Sequence, residues 1–133
     1  MRGEQELVVF DAGFDMGDSA ITETVGWGGF VLGGAAAILS LVGGTPEEAL
    51  AYTREMRTIT LAEHPVYRMP AFGFSGIPIG IDIRKVVQSG SSPIIDTAIA
   101  HKDPGYPKIG AGLVRAPIEC FKKALIAFGQ KFQ

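Results

Sequence analysis

An uncharged, glycine-rich run over residues 24–46 constrains this chain more than any other part of it. The run follows an acidic stretch, and from Asp11 to Gly44 the two read DAGFDMGDSAITETVGWGGFVLGGAAAILSLVGG. The chain has 18 glycines, and those clustered in this run allow backbone segments to approach one another or a ligand closely. The fold must therefore either bury the run or place it in a membrane.

Residues 25–42 carry no charge, which reaches the lower length limit of a membrane-spanning helix. Gly29 and Gly33 also have the GxxxG spacing of membrane helix pairs. The glycines lower the hydrophobicity, however, and no basic residues flank the run to anchor it. We therefore predict a buried helix and no membrane contact.

The local pattern divides this region into a short helix, a bend at the glycines and a longer helix from about Phe30 to Val42. Asp18 or Ser19 can cap the first helix, and Glu23 lies near that positively polarised end. Asp11 and Asp15 are left without a capping role. The acidic stretch is therefore either a site or only the turn before a buried helix.

The totals describe one globular domain. The 133 residues are enough for a single core, and the apolar content is 47%. The net charge of −2 argues against binding to nucleic acid, because neutralising phosphates needs a basic patch. The one cysteine, Cys120, excludes an intramolecular disulfide and predicts a reducing, cytoplasmic location.

The rest of the chain alternates strand and helix signals without a regular period. Thr45, Pro46 and Glu48 form a capping box. The predicted elements are a strand at Glu6–Phe10, a helix from Thr45 to about Glu63, an extended edge segment at Val66–Gly80, a helix at Ile83–Gln88 capped by Asp82, a central strand at Pro93–His101, a strand or loop at Lys108–Val114, and a helix from Pro117 to Gly129. This order predicts the α+β class: a single mixed α/β domain of irregular topology, covering residues 1–133, with a buried glycine-rich helix.

Polar residues after the predicted strands are candidates for chemistry. His101 and Lys102 follow the predicted central strand and could supply an acid–base group and an anion partner, or simply form a solvated turn. Asp82 and Arg84 could bind an anion through the arginine, although a helix cap with a surface arginine explains them as well. Arg115 is likewise either an anion-binding residue or an ordinary surface arginine.

Several common sites are absent from the sequence. Neither Gly26-x-Gly28 nor Gly110-x-Gly112 completes a dinucleotide fingerprint, and no glycine is followed by the lysine and hydroxyl of a P-loop. His64 and His101 form no metal-binding pair, and the acidic stretch does not match a calcium loop. We predict no cofactor and assign no metal ligands, while oxygen ligation of an ion by the acids stays open.

Four segments resemble, in the same order, the C-terminal part of the YlbE-like family of bacterial proteins. They are FDMGDSAITETVGWGGF, GIPIGIDIRKVV, IIDTAIAHKDPG and IGAGLVRAPIECFKKAL. Members of that family are much longer and include proteins linked to an oxamate carbamoyltransferase of allantoin breakdown. The resemblance implies a C-terminal domain that works with other domains or subunits and is inactive alone if the site lies between them.

The resemblance implies a carbamoyl-transfer function, with a small anionic or amide-bearing substrate and an oligomeric enzyme. Cations and N–H donors would then stabilise the oxyanion of the reaction. The candidate catalytic residues are His101, Arg84 and Lys102, and the candidate substrate-binding residues are Asp18, Ser19, Glu23, Asp82 and Arg115. The alternative is a non-catalytic domain for small-molecule binding or subunit assembly, with Gly26–Gly34 at the contact.

Overall fold

The computed structural model describes residues 11–13, 20–41, 44–106 and 109–132. Its helices are α1 (Ala20–Glu23), α2 (Ala36–Leu41), α3 (Pro46–Thr58), α4 (Ile83–Ser89) and α5 (Ile118–Lys131), and its strands are β1 (Thr60–Met69), β2 (Ser75–Ile81), β3 (Ile94–Ile99) and β4 (Gly110–Arg115). Two antiparallel pairs, β1–β2 and β3–β4, form its sheets. The predicted class, a single mixed α+β domain, is confirmed. The strand predicted at Glu6–Phe10 and the caps predicted at Asp18 or Ser19 lie outside the described residues.

The described part of the glycine-rich run is buried on one side, through Phe30, Leu32 and Leu39, but exposes Val25, Trp27 and Ile38, and it is not one long helix. After α1 it makes two 3-10 turns, Gly28–Phe30 and Leu32–Gly34, and the α-helix starts only at Ala36. The predicted bend at the glycines is confirmed, whereas the predicted helical start at Phe30 is wrong. Tight turns replace the first part of that helix, and the glycines just before it, Gly26 and Gly29, meet two different neighbours.

Those neighbours are the two sheets. A Cβ added to Gly26 would lie 2.6 Å from the Pro78 carbonyl oxygen on β2, and one added to Gly29 would lie 2.2 Å from the Ile94 carbonyl oxygen on β3. No other residue type permits these approaches. Gly26 and Gly29 therefore join the sheets within one chain, and the predicted use of Gly26–Gly34 at a subunit contact stays a prediction.

Helix α3 begins as predicted and ends early. Thr45 accepts a hydrogen bond from the Glu48 amide, and the Glu48 side chain accepts one from the Thr45 amide. The predicted continuation to Glu63 is wrong, because the helix ends at Thr58 and β1 starts at Thr60. Pairing with β2 overrides the helical signal there, a tertiary effect that local propensity does not contain.

The β1–β2 pair carries an irregularity between Glu63 and Arg68, where the register shifts. Pro65 lies inside this segment and has no amide hydrogen for the ladder. A bulge at this point bends the strand and turns the side chains that follow it. The predicted edge character of residues 66–80 is consistent with this pairing.

Among the described residues, strand β3 pairs with β4 alone, and its predicted central position stays a prediction because the strand predicted at Glu6–Phe10 lies outside them. Its register runs from Ile94 opposite Arg115 to Ile99 opposite Gly110. The apolar residues at the start of β3 are buried because this end of the strand packs against the glycine-rich run. Residues 110–115 are resolved as the strand β4, one of the two predicted alternatives.

Helix α5 continues through Gly129, where the sequence predicts its end. A Cβ at Gly129 would meet nothing within 4 Å, so the glycine costs only its helix propensity of about 1 kcal/mol. In the described part of the chain, no helix is long and apolar enough to cross a membrane.

The core has two adjoining clusters. One contains Phe30, Met56, Ile59, Val86 and Ile94, and the other contains Leu32, Leu39 and Ala49. Tyr52 and Leu113 pack against both. Both clusters include residues of the glycine-rich run, which therefore holds α3 and the two sheets together.

Candidate functional site

Glu23 is a buried carboxylate at the centre of the molecule, with only 1% of its surface exposed. Its Oε1 accepts hydrogen bonds from the amides of Gly29 and Asp96, both at 3.1 Å. Its Oε2 accepts one from the Thr22 hydroxyl at 3.2 Å. A buried carboxylate needs such donors to offset its lost hydration. Glu23 thereby fixes the first 3-10 turn against β3.

An apolar cavity of about 310 Å³ lies beside Glu23. Its lining residues are Ala20, Glu23, Thr24, Ile81, Ile83, Pro93, Ile95, Ala116 and Phe121. A second cavity of about 280 Å³ is lined by Leu61, Ile81, Asp82, Ile83, Arg84 and Phe128. Ile81 and Ile83 line both cavities. Of the sequence-predicted residues, Glu23 lines the first cavity, and Asp82 and Arg84 line the second.

Asp82 and Arg84 form a local ion pair at the start of α4. The Arg84 amide and guanidinium both donate to the Asp82 carboxylate, with the shortest contact at 2.6 Å. The hydrogen bonds from the Arg84 side chain lower the pKa of Asp82 from 3.8 to about 2. The Arg84 side chain is 69% exposed and can reach a ligand, but the Asp82 side chain is only 5% exposed, so leaving it without its cation carries a cost.

Arg115 is paired with a residue on another element. It donates to both carboxylate oxygens of Glu55 on α3, at 2.7 and 2.8 Å, and to the carbonyl of Ser92 at 3.2 Å. The hydrogen bond from Arg115 lowers the pKa of Glu55, and that from Glu55 raises the pKa of Arg115. This bidentate pair ties α3 to β4.

His101 and Lys102 lie beyond the end of β3 and contact the segment around Asp11. His101 forms an isolated antiparallel bridge with Ala12, and Lys102 Nζ lies 3.1 Å from the Asp11 carboxylate. His101 Nδ1 accepts a hydrogen bond from the Asp103 amide at 2.9 Å, and its ring stacks on Tyr106 at 4.2 Å.

The candidate residues therefore occupy more than one region. Arg115 lies opposite Ile94 in the strand pair, and Ile94 precedes His101 by seven residues along the chain. At the rise of an extended strand this separation is roughly 20 Å, so His101 and Arg115 lie near opposite ends of the β3–β4 hairpin. Asp18 and Ser19 lie outside the described residues. Among the described residues, no three His, Cys, Asp or Glu side chains form a group that could hold a metal ion.

Sequence reasoning missed two polar clusters. Arg57 donates to Glu63 at 2.6 Å and to the Ser75 hydroxyl at 2.6 Å, and it lies 4.9 Å from the centre of the Phe72 ring. The second cluster, Trp27, Tyr67 and Arg68, lines a cavity of about 400 Å³. Trp27 comes from the glycine-rich run, and Tyr67 and Arg68 come from β1 near its register shift, whose position the sequence pattern of residues 60–69 does not show.

The fold is that of a region in longer bacterial proteins. A crystal structure of a conserved protein of unknown function from Enterococcus faecalis V583 matches with a TM-score of 0.83 and 56% identity. The match covers 89% of this chain and 28% of that one. No protein-family model matches the chain.

Two curated relatives from Escherichia coli K12 are likewise longer proteins that the chain matches over only part of their length. The uncharacterised protein YahG is 53% identical over 122 residues, which cover 92% of this chain and 26% of that protein. The oxamate carbamoyltransferase subunit AllG is 47% identical over 117 residues, which cover 87% of this chain and 28% of that protein. The chain is thus related to YahG and AllG, and it spans about a quarter of their length.

Proposed function

We propose that this chain is the C-terminal domain of a YlbE-like protein and contributes to a carbamoyl-transfer enzyme of the oxamate carbamoyltransferase type. The observation that carries the proposal is the 47% identity to the subunit AllG across nearly the whole chain. The substrate would be a small anionic or amide-bearing molecule in purine and allantoin nitrogen catabolism. The remaining machinery would come from other domains or subunits, since the chain spans only about a quarter of its relatives.

In this proposal, Arg84, Lys102 and His101 serve the reaction, and Glu23, Asp82 and Arg115, with Asp18 and Ser19, help to bind substrate. Arg84 and Lys102 are both substantially exposed, at 69% and 48% of their side chains. Each would exchange its present carboxylate partner for a substrate oxygen. Cations of this kind stabilise an oxyanion that develops in the transition state.

A chimera tests the proposal directly. The matching 117 residues of AllG are replaced with this chain, and carbamoyl transfer to oxamate is measured in the presence of the enzyme's other subunits. We expect the chimera to retain activity, and Arg84→Ala and His101→Ala to lower kcat by about tenfold or more. Lys123→Ala on α5 is the matched surface control. A folded, assembled chimera without activity would refute the proposal.

The second candidate function is subunit assembly without catalysis. Helix α5 has an apolar stripe whose distal residues, Phe128 and Phe132, are 52% and 69% exposed, and Ile126 on the same helix is 62% exposed. Exposed apolar residues at this density often mark an interface. Light scattering of the chain and of Phe128→Glu tests it: an oligomer that the substitution dissociates supports assembly, and a monomer at high concentration excludes self-assembly.

A further inference from the structure

We propose that the groove lined by Trp27, Tyr67 and Arg68 binds a small organic carboxylate with a flat apolar body. The groove, of about 400 Å³, lies between the glycine-rich run and β1. Its other lining residues are Val31, Gly34, Met69 and Ile77. None of these residues is a candidate in the proposed carbamoyl-transfer function, and the inference does not depend on that function.

Arg68 provides the anion-binding group. Arg57, Arg84 and Arg115 each donate to a carboxylate of the chain. In the part of the chain that the structure describes, Arg68 instead makes two long contacts with carbonyl oxygens, 3.3 Å to Phe74 and 3.4 Å to Pro65. Its charge is therefore not neutralised by a paired acid there. A guanidinium in this state can take a ligand carboxylate through two parallel N–H···O bonds.

Trp27 and Tyr67 provide the apolar walls. Their rings lie 5.5 Å apart at 69°, and the two residues are 45% and 48% exposed. An edge-to-face pair leaves ring faces on which a flat ligand can stack. His64 orients Tyr67, because its Nδ1 accepts a hydrogen bond from the Tyr67 amide at 3.1 Å and its ring lies 4.6 Å from the Tyr67 ring.

The floor of the groove is closed and apolar. Met69 and Ile77 are each 1% exposed and line its base. A Cβ at Gly34 would lie 3.1 Å from Met69 Cγ, so a side chain there would press on this floor. The groove thus combines one cation, two aromatic walls and an apolar base, which is the composition of a small-ligand site.

The experiment uses the fluorescence of Trp27, the only tryptophan in the chain. The 133-residue chain is titrated with sodium benzoate, with benzamide as the neutral ligand of the same shape, and with sodium oxamate as a carboxylate lacking the ring. We expect a saturable change with benzoate and binding about tenfold weaker for each of the other two, because each lacks one of the two recognised features.

Two variants and a control make the test specific. Arg68→Gln should abolish the preference for benzoate over benzamide. Gly34→Ala should weaken the binding of both ligands, because it narrows the groove. Lys123→Gln removes a positive charge on α5, outside the groove, and should leave both affinities unchanged. Circular dichroism of each variant confirms that it is folded.

Three titration results would overturn the inference. They are the absence of saturable binding, equal affinity for benzoate and benzamide in the native chain, and an Arg68→Gln variant that keeps the preference. A blue shift of Trp27 emission that grows with protein concentration, without ligand, would also overturn it, because a second copy of the chain would then cover the groove.

Discussion

At the scale of single residues, the carboxylate of Glu23 connects parts of the chain that are distant in sequence. It accepts amide hydrogens from Gly29 and from Asp96 on β3, and it is buried. The sequence identifies Glu23 as a candidate only through its place near a helix start. Its role in holding β3 depends on a contact across 73 positions, which no local pattern contains.

Replacing Glu23 separates the role of its oxygens from that of its charge. Glu23→Ala leaves the buried Gly29 amide and the part-buried Asp96 amide without an acceptor and should lower the free energy of unfolding by about 2–4 kcal/mol. Glu23→Gln keeps an acceptor for both amides and should cost less than half as much. Urea denaturation measures the stability of both variants. Equal midpoints for the alanine variant and the native chain would contradict the role of Glu23 in holding the first 3-10 turn against β3.

Gly28 offers a test of close approach with a matched control. Its φ is +64°, and an added Cβ would lie 2.0 Å from Glu23 Oε1. Gly90 has a φ of +72° with nothing within 4 Å of its Cβ position. Gly90→Ala should therefore cost only the strain of the left-handed conformation, about 1 kcal/mol, and Gly28→Ala should cost more. Thermal unfolding measures the loss of stability in each variant. Equal losses in the two variants would show that the clash at Gly28 is relieved.

At the scale of elements, the sequence locates starts better than ends. The capping box of α3 and the Asp82 cap of α4 are local chemistry and were predicted from neighbouring residues. The end of α3 was not predicted correctly, because β1 pairs with β2 over residues that a helix could equally well include. The Gly129 stop in α5 failed for a related reason, since an exposed glycine costs little within an otherwise stable helix.

The start of α4 should contribute a pH-dependent stability. The pKa of Asp82 is lowered in the folded chain, so its pairing with Arg84 stabilises the fold above the ordinary value of 3.8. That stabilisation is lost as the pH falls from 3.8 towards about 2. Asp82→Asn keeps a capping oxygen but cannot titrate. Urea midpoints across this interval should fall less steeply for Asp82→Asn, and parallel curves for the two proteins would contradict the assignment.

At the scale of the whole molecule, helix and sheet are joined by Glu55 and Arg115, which are 60 positions apart. Their side chains are 32% and 47% exposed, so solvent screens the pair. A double-mutant cycle with Glu55→Gln and Arg115→Gln should give a coupling of about 0.5–1 kcal/mol. The same cycle on Lys122 and Glu119, an i,i+3 pair on α5, should give a smaller value. A coupling near zero for Glu55 and Arg115 would show that the contact does not join the elements.

The sequence by itself determined the class of the fold, the starts of the capped helices and the partial burial of the glycine-rich run, because capping, charge and glycine content act over a few residues. Only the tertiary structure decided that the run makes tight turns between two separate sheets, since Gly26 and Gly29 face backbones 52 and 65 positions away. It also decided the distribution of the candidate residues, and it brought together Trp27 of the run with Tyr67 and Arg68 of β1. Such arrangements depend on long-range pairing, which local sequence pattern does not encode.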